Sequence, residues 1–261
     1  MTIFPASIWL VGAGNMGGAM LRRWIASGAD PANITVVDPW SANIPKGVRQ
    51  AECMPQGAPE VLVLAVKPQQ LDALPRVSTG LLFSILAGVE AETLAARFDA
   101  RAVVRAMPNL PVSLGQGVVA LYGPDADARA RRIAETLATP LGLVEWIDDE
   151  NLFHAVTALS GSGPGFVYRF IDALAEAGVA QGLPADQALR FAIATVGGAS
   201  ALAAASDESP ATLADRVASP GGTTRAGLDV LDRADALKRL IGETIGAAAG
   251  RSAELAELAR K

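Results

Sequence analysis

Ile8-Trp9-Leu10-Val11-Gly12-Ala13-Gly14-Asn15-Met16-Gly17 is a short apolar run that breaks into a glycine turn. An apolar run of this length, bounded by glycine, reads as a buried strand. From Asn15 to Ile25 the residues Met16, Met20, Leu21 and Trp24 recur at helical spacing, and Ser27-Gly28 ends the pattern. Gly12 permits the tight turn, Gly14 lets backbone approach a pyrophosphate, and Gly17 lets helix and strand pack closely. The helix start adds unpaired N–H groups and a partial positive charge, both suited to an anion. A second strand, Ile34-Thr35-Val36-Val37, ends at Asp38, about 20 residues past Gly17, where a carboxylate can bond a ribose hydroxyl. Three spaced glycines alone are a weak sign. Strand, turn, helix, strand and acid in register make a dinucleotide-binding turn.

Further strand and helix signals alternate through the first ~150 residues, which predicts a mostly parallel sheet. Val61 to Val66 is a third buried strand stopped by Lys67-Pro68, and Leu81 to Leu86 a fourth ending in Ala87-Gly88. Ala102 to Arg105 is a fifth, ending in Met107-Pro108-Asn109. Val118 to Leu121 and Leu143 to Ile147 follow as later strands around a helix over Ala126–Leu137. Ligands of open α/β sheets bind outside the carboxyl ends of the strands, so these endings are the places to look.

After Asp148-Asp149-Glu150 no strand pattern recurs. Helical segments are expected over Asn151–Leu159, Gly165–Gln181, Pro184–Ala205, Pro210–Ala218, Arg225–Leu231 and from Ala234 onward. The boundary is set near residue 150, giving domains 1–150 and 151–261. Gly197 and Gly198 in the Ala-rich fourth-from-last of these segments allow close helix approach, either within one chain or between two. A helical half of about 110 residues is short of core of its own, which favours an interlocked dimer.

Composition narrows the partners. A net charge of −5 with no basic block argues against nucleic acid and anionic membranes. Cys53 is the single cysteine, so intramolecular disulfides and a cysteine zinc site are excluded and a reducing, cytoplasmic compartment fits. The apolar start carries no Lys or Arg before Arg22, unlike a signal peptide, and Phe191 to Ser206 is too short and too weakly apolar to span a bilayer. No metal site is expected.

Near the other end, Ser219-Pro220-Gly221-Gly222-Thr223-Thr224 is a backbone-donor nest with hydroxyls at the mouth of a predicted helix. Such a run suits a small carboxylate, although Ser-Pro-Gly-Gly is also good turn chemistry. A nucleotide at one end and a carboxylate at the other read as hydride transfer. The proton donors of carbonyl reduction are missing: neither Tyr122 nor Tyr168 has a lysine four residues on. His154, the only histidine, sits among Phe153, Ala155 and Val156, where packing is the simpler role. A protonated imine as acceptor removes the need for an acid.

The whole chain resembles the Δ1-pyrroline-5-carboxylate reductase family. The resemblance rests on the Gly12–Gly17 turn, Ala65-Val66-Lys67-Pro68-Gln69, Ala87-Gly88-Val89, Val104 to Asn109, Ala155 to Pro164, Gly182-Leu183-Pro184 and Ser219 to Leu228. It departs at Leu110, where the family usually has Thr, at Gly165-Phe166 for Ala-Tyr, and at Ala51-Glu52-Cys53, which lacks a nucleotide-side Asn. The resemblance implies a Rossmann-type dinucleotide-binding domain followed by an all-α dimerisation domain, and a homodimer that can build higher assemblies. It implies reduction of 1-pyrroline-5-carboxylate to L-proline by NAD(P)H. Gly12, Ala13, Gly14, Asn15, Met16, Gly17 and Asp38 would bind the cofactor with Ala65, Val66, Lys67, Pro68, Ala87, Gly88 and Val89, the last five along the nicotinamide side. Ser219, Gly221, Gly222 and Thr223 would hold the substrate carboxylate, and the Thr224 hydroxyl would face the ring nitrogen as the catalytic group.

Asp38 followed by Pro39 and Trp40, with no Arg or Ser for a 2′-phosphate, points to NADH, while Lys46 and Arg49 keep NADPH open. Alternatives are a β-hydroxyacid dehydrogenase-like enzyme, a related imine reductase, or a non-enzymatic nucleotide-binding protein. The first needs a lysine after the glycine-rich run at 161–165, and none precedes Lys238.

Overall fold

The structure, a computed structural model, describes residues 4–259. Its chain divides into two units, the first running to Ser162 and resuming at Ala248, the second spanning Gly163–Ala247. Residues 151–162 join the first unit because Asn109 Nδ2 donates to the Ser160 carbonyl at 2.9 Å. The last helix returns to it through Ser252, whose Oγ lies 3.0 Å from His154 Nδ1, and through Ala256, which packs on Gly88.

The first unit is built on one eight-stranded sheet in the order β3-β2-β1-β4-β5-β6-β7-β8. The strands are β1 (Ile8–Val11), β2 (Ile34–Val37), β3 (Arg49–Ala51), β4 (Val61–Leu64), β5 (Ser78–Ser84), β6 (Asp99–Pro108), β7 (Gly117–Tyr122) and β8 (Gly142–Trp146). All neighbours pair in parallel except β6 and β7. That exception follows from the link: a parallel return needs a crossover of a dozen or more residues, and the turn at Leu110–Leu114 is too short. β1, β2 and β4 are buried along their whole length, as central strands covered on both faces must be.

Alternation along each strand sorts the core into two layers. Ile8, Leu10, Val36, Val63 and Phe83 face α1 (Asn15–Ala26) and α3 (Ala128–Ala138). Trp9, Val11, Leu62, Leu64 and Leu82 face α2 (Ala91–Arg97) and the 3-10 turn at Pro68–Ala73. α3 starts at an Asp127 cap, whose carboxylate accepts from Ala130 N–H. That bond holds the Asp127 carboxyl below its ordinary value.

Several elements differ from expectation. β4 stops at Leu64, and only Ala65 N–H prolongs the pairing, through the Val11 carbonyl at 2.8 Å. β5 begins three residues early, with the Thr79 hydroxyl bonding the Pro59 carbonyl. The short, polar β3 and α2 carry too little apolar periodicity to announce themselves.

After α4 (Phe153–Val156) and a π turn over Thr157–Gly161, the second unit is helical: α5 (Gly163–Ala180), α6 (Ala185–Ala204), α7 (Pro210–Arg216) and α8 (Thr223–Asp232). It takes in the first half of α9 (Ala236–Ala259) as well. α5 and α6 form a hairpin turned by Gly182 at φ +98°, and Gly178 lets Ala188 approach closely. Little of the unit is buried. Tyr168, Phe170, Phe191, Ile193, Leu202 and Leu240 are each more than half exposed. A Cβ built on Gly197 or Gly198 would meet nothing within 4 Å, so close packing inside the chain is not what those glycines serve.

Trp24 gives the first unit a testable joint. It is fully buried, and its Nε1 donates to the Leu137 carbonyl at 2.7 Å, fastening α1 to α3. Trp24→Phe keeps most of the ring but orphans that carbonyl, and is expected to lower unfolding free energy by about 1–3 kcal/mol. Urea denaturation measures it, and an unchanged midpoint would remove the bond from the account.

Candidate active site

Four adjacent strands, β2, β1, β4 and β5, end side by side along one crest of the sheet. At those ends lie Asp38, the Gly12–Gly17 turn, Ala65-Val66-Lys67-Pro68 and Ala87-Gly88-Val89. The fold thus brings the expected cofactor residues into one row.

The glycines divide the work. Gly12 has φ +90°, and a Cβ there would lie 2.7 Å from the Ala65 carbonyl oxygen. Any side chain would therefore push β1 off β4. A Cβ on Gly17 would fall 2.3 Å from the Gly12 carbonyl oxygen, so glycine alone lets α1 seat on the turn. Gly14 has nothing within 4 Å and leaves open space over the helix start. Gly14 caps α1 without any side-chain hydrogen bond, and the first turn carries no acid. The N–H groups of Asn15, Met16 and Gly17 therefore have no intrahelical partner, whereas Gly18 N–H bonds the Gly14 carbonyl. An open, donor-rich helix start without an acid fits a dinucleotide pyrophosphate.

Asp38 supports this turn directly. Its Oδ2 accepts from Ala13 N–H at 2.8 Å, and its Oδ1 from Trp40 N–H at 3.0 Å. Ala13 N–H is thus already engaged, and Ala13 serves the site through Asp38. A carboxylate offers about four acceptor positions, so two remain for ribose hydroxyls. Arg49 pairs beside Thr35, short of the carboxyl end of β2, and its guanidinium bonds the Ala32 carbonyl. It points to a different part of the sheet from Asp38.

Sequence reasoning missed one assembly. Arg105 on β6 is buried, and its Nη1 lies 2.6 Å from Glu150 Oε1. The same oxygen accepts from Ala91 N–H at 2.8 Å, at the start of α2. The guanidinium also lies over the Phe153 ring, 4.3 Å from its centre. Glu150 therefore fastens the end of the Ala87-Gly88-Val89 loop, while Ala256 packs against Gly88 from the other side. A lone arginine between Val104 and Ala106 in an apolar strand was the available signal. Next to this pair lies a cavity of about 330 Å³, bordered by Ala87, Gly88, Met107, Tyr122 and His154. Burial, then the charges of Glu150 and Asp149, push the Tyr122 phenol above its ordinary value.

The other expected site lies in the second unit. Ser219-Pro220-Gly221-Gly222 forms a turn closed by Gly222 N–H to the Ser219 carbonyl at 2.9 Å, and Gly222 caps α8. Gly221 takes φ +69°, and a Cβ on Gly222 would lie 2.4 Å from Ser219 Oγ. Because Gly222 N–H is used in the turn, the free donors are those of Thr223, Thr224 and Arg225, while Ala226 N–H bonds the Gly222 carbonyl. Arg225 pairs with Asp215 at 2.7 Å, which holds its guanidinium above the usual range and ties α8 to the end of α7. Ser219, Thr223 and Thr224 are exposed in the single chain. Among the described residues no group of His, Cys, Asp and Glu is arranged to hold a metal ion, and no helix is long and apolar enough to cross a membrane.

A glycine-rich crest on a mostly parallel sheet, followed by a separate helical unit, is the architecture of a Rossmann-type dinucleotide-binding oxidoreductase. Comparison with known proteins makes this specific. Residues 150–255 match the family described as pyrroline-5-carboxylate reductase dimerisation, and residues 7–88 that described as NADP oxidoreductase coenzyme F420-dependent. A pyrroline-5-carboxylate reductase of Synechocystis sp. is 38% identical over 94% of this chain and 97% of its own. One from Pseudomonas aeruginosa is 35% identical over 96% and 97%. Among solved structures, a pyrroline-5-carboxylate reductase from Coxiella burnetii superposes with a TM-score of 0.88 at 32% identity, covering 96% of this chain and 98% of that one. The chain belongs to the pyrroline-5-carboxylate reductase family.

The Glu150 contacts generate a test. Glu150→Ala leaves Arg105 buried without its partner and Ala91 N–H unpaired, at an expected cost of about 3 kcal/mol. Glu150→Gln keeps both acceptor contacts and should lose less than half of that. Equal destabilisation of the two variants in urea would show that charge alone, not the bridging geometry, matters.

Proposed function

We infer that this protein reduces 1-pyrroline-5-carboxylate to L-proline with NAD(P)H, the closing step of proline biosynthesis. The observation that carries the reading is the joint presence of two donor-rich helix starts, one open at Gly14 and one at Gly222, in a chain of this family. When bound at the first, reduced nicotinamide supplies the hydride. Lys67, Pro68 and the Ala87-Gly88-Val89 loop wall its nicotinamide side. At the second, N–H groups of Thr223 and Thr224 and the Ser219 hydroxyl hold the substrate carboxylate. The Thr224 hydroxyl faces the ring nitrogen and fixes which face of the imine carbon is presented. A protonated imine needs no proton from the protein when its carbon accepts hydride.

The working form is a dimer made by the helical unit, whose exposed aromatic and aliphatic side chains and open Gly197-Gly198 stretch are the surface for it. Dimers associating further, a cytoplasmic setting, no nucleic-acid partner and the 1–150/151–261 division of labour complete the reading. Asp38 favours NADH. A carboxylate at the end of β2 would repel a 2′-phosphate there, and Arg49 is engaged away from it with the Ala32 carbonyl.

Two measurements test this. In a reductase assay with pyrroline-5-carboxylate, Thr224→Ala is expected to lower kcat/KM by roughly 10- to 1,000-fold with cofactor affinity unchanged. An undiminished rate would remove Thr224 from the mechanism. In the same assay the wild type is expected to use NADH at least as well as NADPH, and Asp38→Ser to shift the ratio toward NADPH. Strong NADPH selectivity that the substitution leaves untouched would place Asp38 away from the ribose.

A further inference from the structure

The end of β2 carries one residue that the reductase reading does not use. Trp40 is 90% exposed, more than any other large hydrophobic among the described residues. The other tryptophans are accounted for: Trp9 and Trp24 are buried, and Trp146 bonds Glu135 and lies under Arg131. Among the described residues Trp40 makes no ring contact or side-chain hydrogen bond, yet its loop is firmly held. Its own N–H bonds Asp38 Oδ1, Gln50 Nε2 donates to the carbonyls of both Asp38 and Ser41, and Ser41 Oγ reaches the Ala13 carbonyl at 3.5 Å. Residues on both sides of Trp40 are therefore tied to the glycine turn and to β3 while the indole projects into solvent.

We propose that Trp40 is the adenine platform of the dinucleotide site, its indole stacking on the adenine ring. This rests on the cofactor half of the reading above. A ribose held by Asp38 puts the adenine just beyond the end of β2, on the stretch where Trp40 follows two residues later. Stacking on an aromatic face needs no hydrogen-bond pattern, and a loop already fixed gives up little freedom on binding. The same indole occupies ground where a phosphate-binding cation would stand, so it also biases the site against a 2′-phosphate.

Three probes locate the effect: AMP, nicotinamide mononucleotide and NADH, each titrated against wild type, Trp40→Ala and Trp40→Phe. AMP should quench indole emission in the wild type and not in Trp40→Ala. Dissociation constants for AMP and NADH should rise about 5- to 100-fold in Trp40→Ala, with most of the affinity kept in Trp40→Phe. Affinity for nicotinamide mononucleotide should not move. Unchanged AMP and NADH affinities in Trp40→Ala would overturn the proposal, as would failure of the wild type to bind either. Tight AMP binding that depends on Trp40, in a protein unable to reduce pyrroline-5-carboxylate, would uphold the platform while refuting the reductase reading. Because the side chain is exposed, neither substitution threatens folding.

Discussion

The seating of α1 on the glycine turn is the contact on which the rest of the first unit depends. A Cβ at Gly17 would sit 2.3 Å from the Gly12 carbonyl oxygen, closer than any carbon can come. With hydrogen there instead, α1 lies flat enough for Met20, Leu21 and Trp24 to enter the layer formed by Ile8, Leu10 and Val36. The same approach directs the start of α1 over the carboxyl ends of the strands, where its free N–H groups point to open space above Gly14. One steric allowance thus sets both core packing and the binding crest.

Asp38 adds the electrostatic counterpart. Its carboxylate bridges the N–H groups of Ala13 and Trp40, so one acid ties the end of β2 to the glycine turn. Charge-assisted bonds of this kind are shorter and stronger than neutral ones. Replacing Asp38 therefore perturbs two contacts at once, and changes in cofactor preference come with a loosened turn. Arg105 and Glu150 play a similar part at the other end of the row, where a buried arginine and a half-buried glutamate fasten the loop after β5.

The legible parts of the chain were those where one residue type has one physical use. Gly12, Gly14 and Gly17 announced a turn because backbone conformation and close approach leave few substitutes. β1, β2 and β4 announced themselves as unbroken apolar runs, since strands covered on both faces need no alternation. The start of α8 was expected at Arg225 and lies at Thr223, which draws both threonines into its first turn. What stayed hidden depends on distant partners. Arg105 looks ordinary until Glu150, 45 residues on, is placed beside it. β3 is short and polar, and only its pairing with β2 makes it a strand. The return of the last helix to the first unit rests on single contacts, at Ser252 and Ala256, that no periodicity encodes.

The second unit poses the remaining physical question, because the Ser219–Thr224 turn expected to hold an anion is exposed in a single chain. Water competes well for N–H groups in the open, and charge interactions strengthen steeply as water is excluded. A carboxylate gripped only by Thr223, Thr224 and Ser219 in bulk solvent would be held weakly and turn freely. The dimerisation family that residues 150–255 match accounts for the exposed Phe170, Phe191 and Leu202, for which the described residues give no cover. Burial of those side chains drives association, since each large apolar group removed from water contributes about 1.5–3 kcal/mol. The unit therefore carries little core of its own and much apolar surface for pairing.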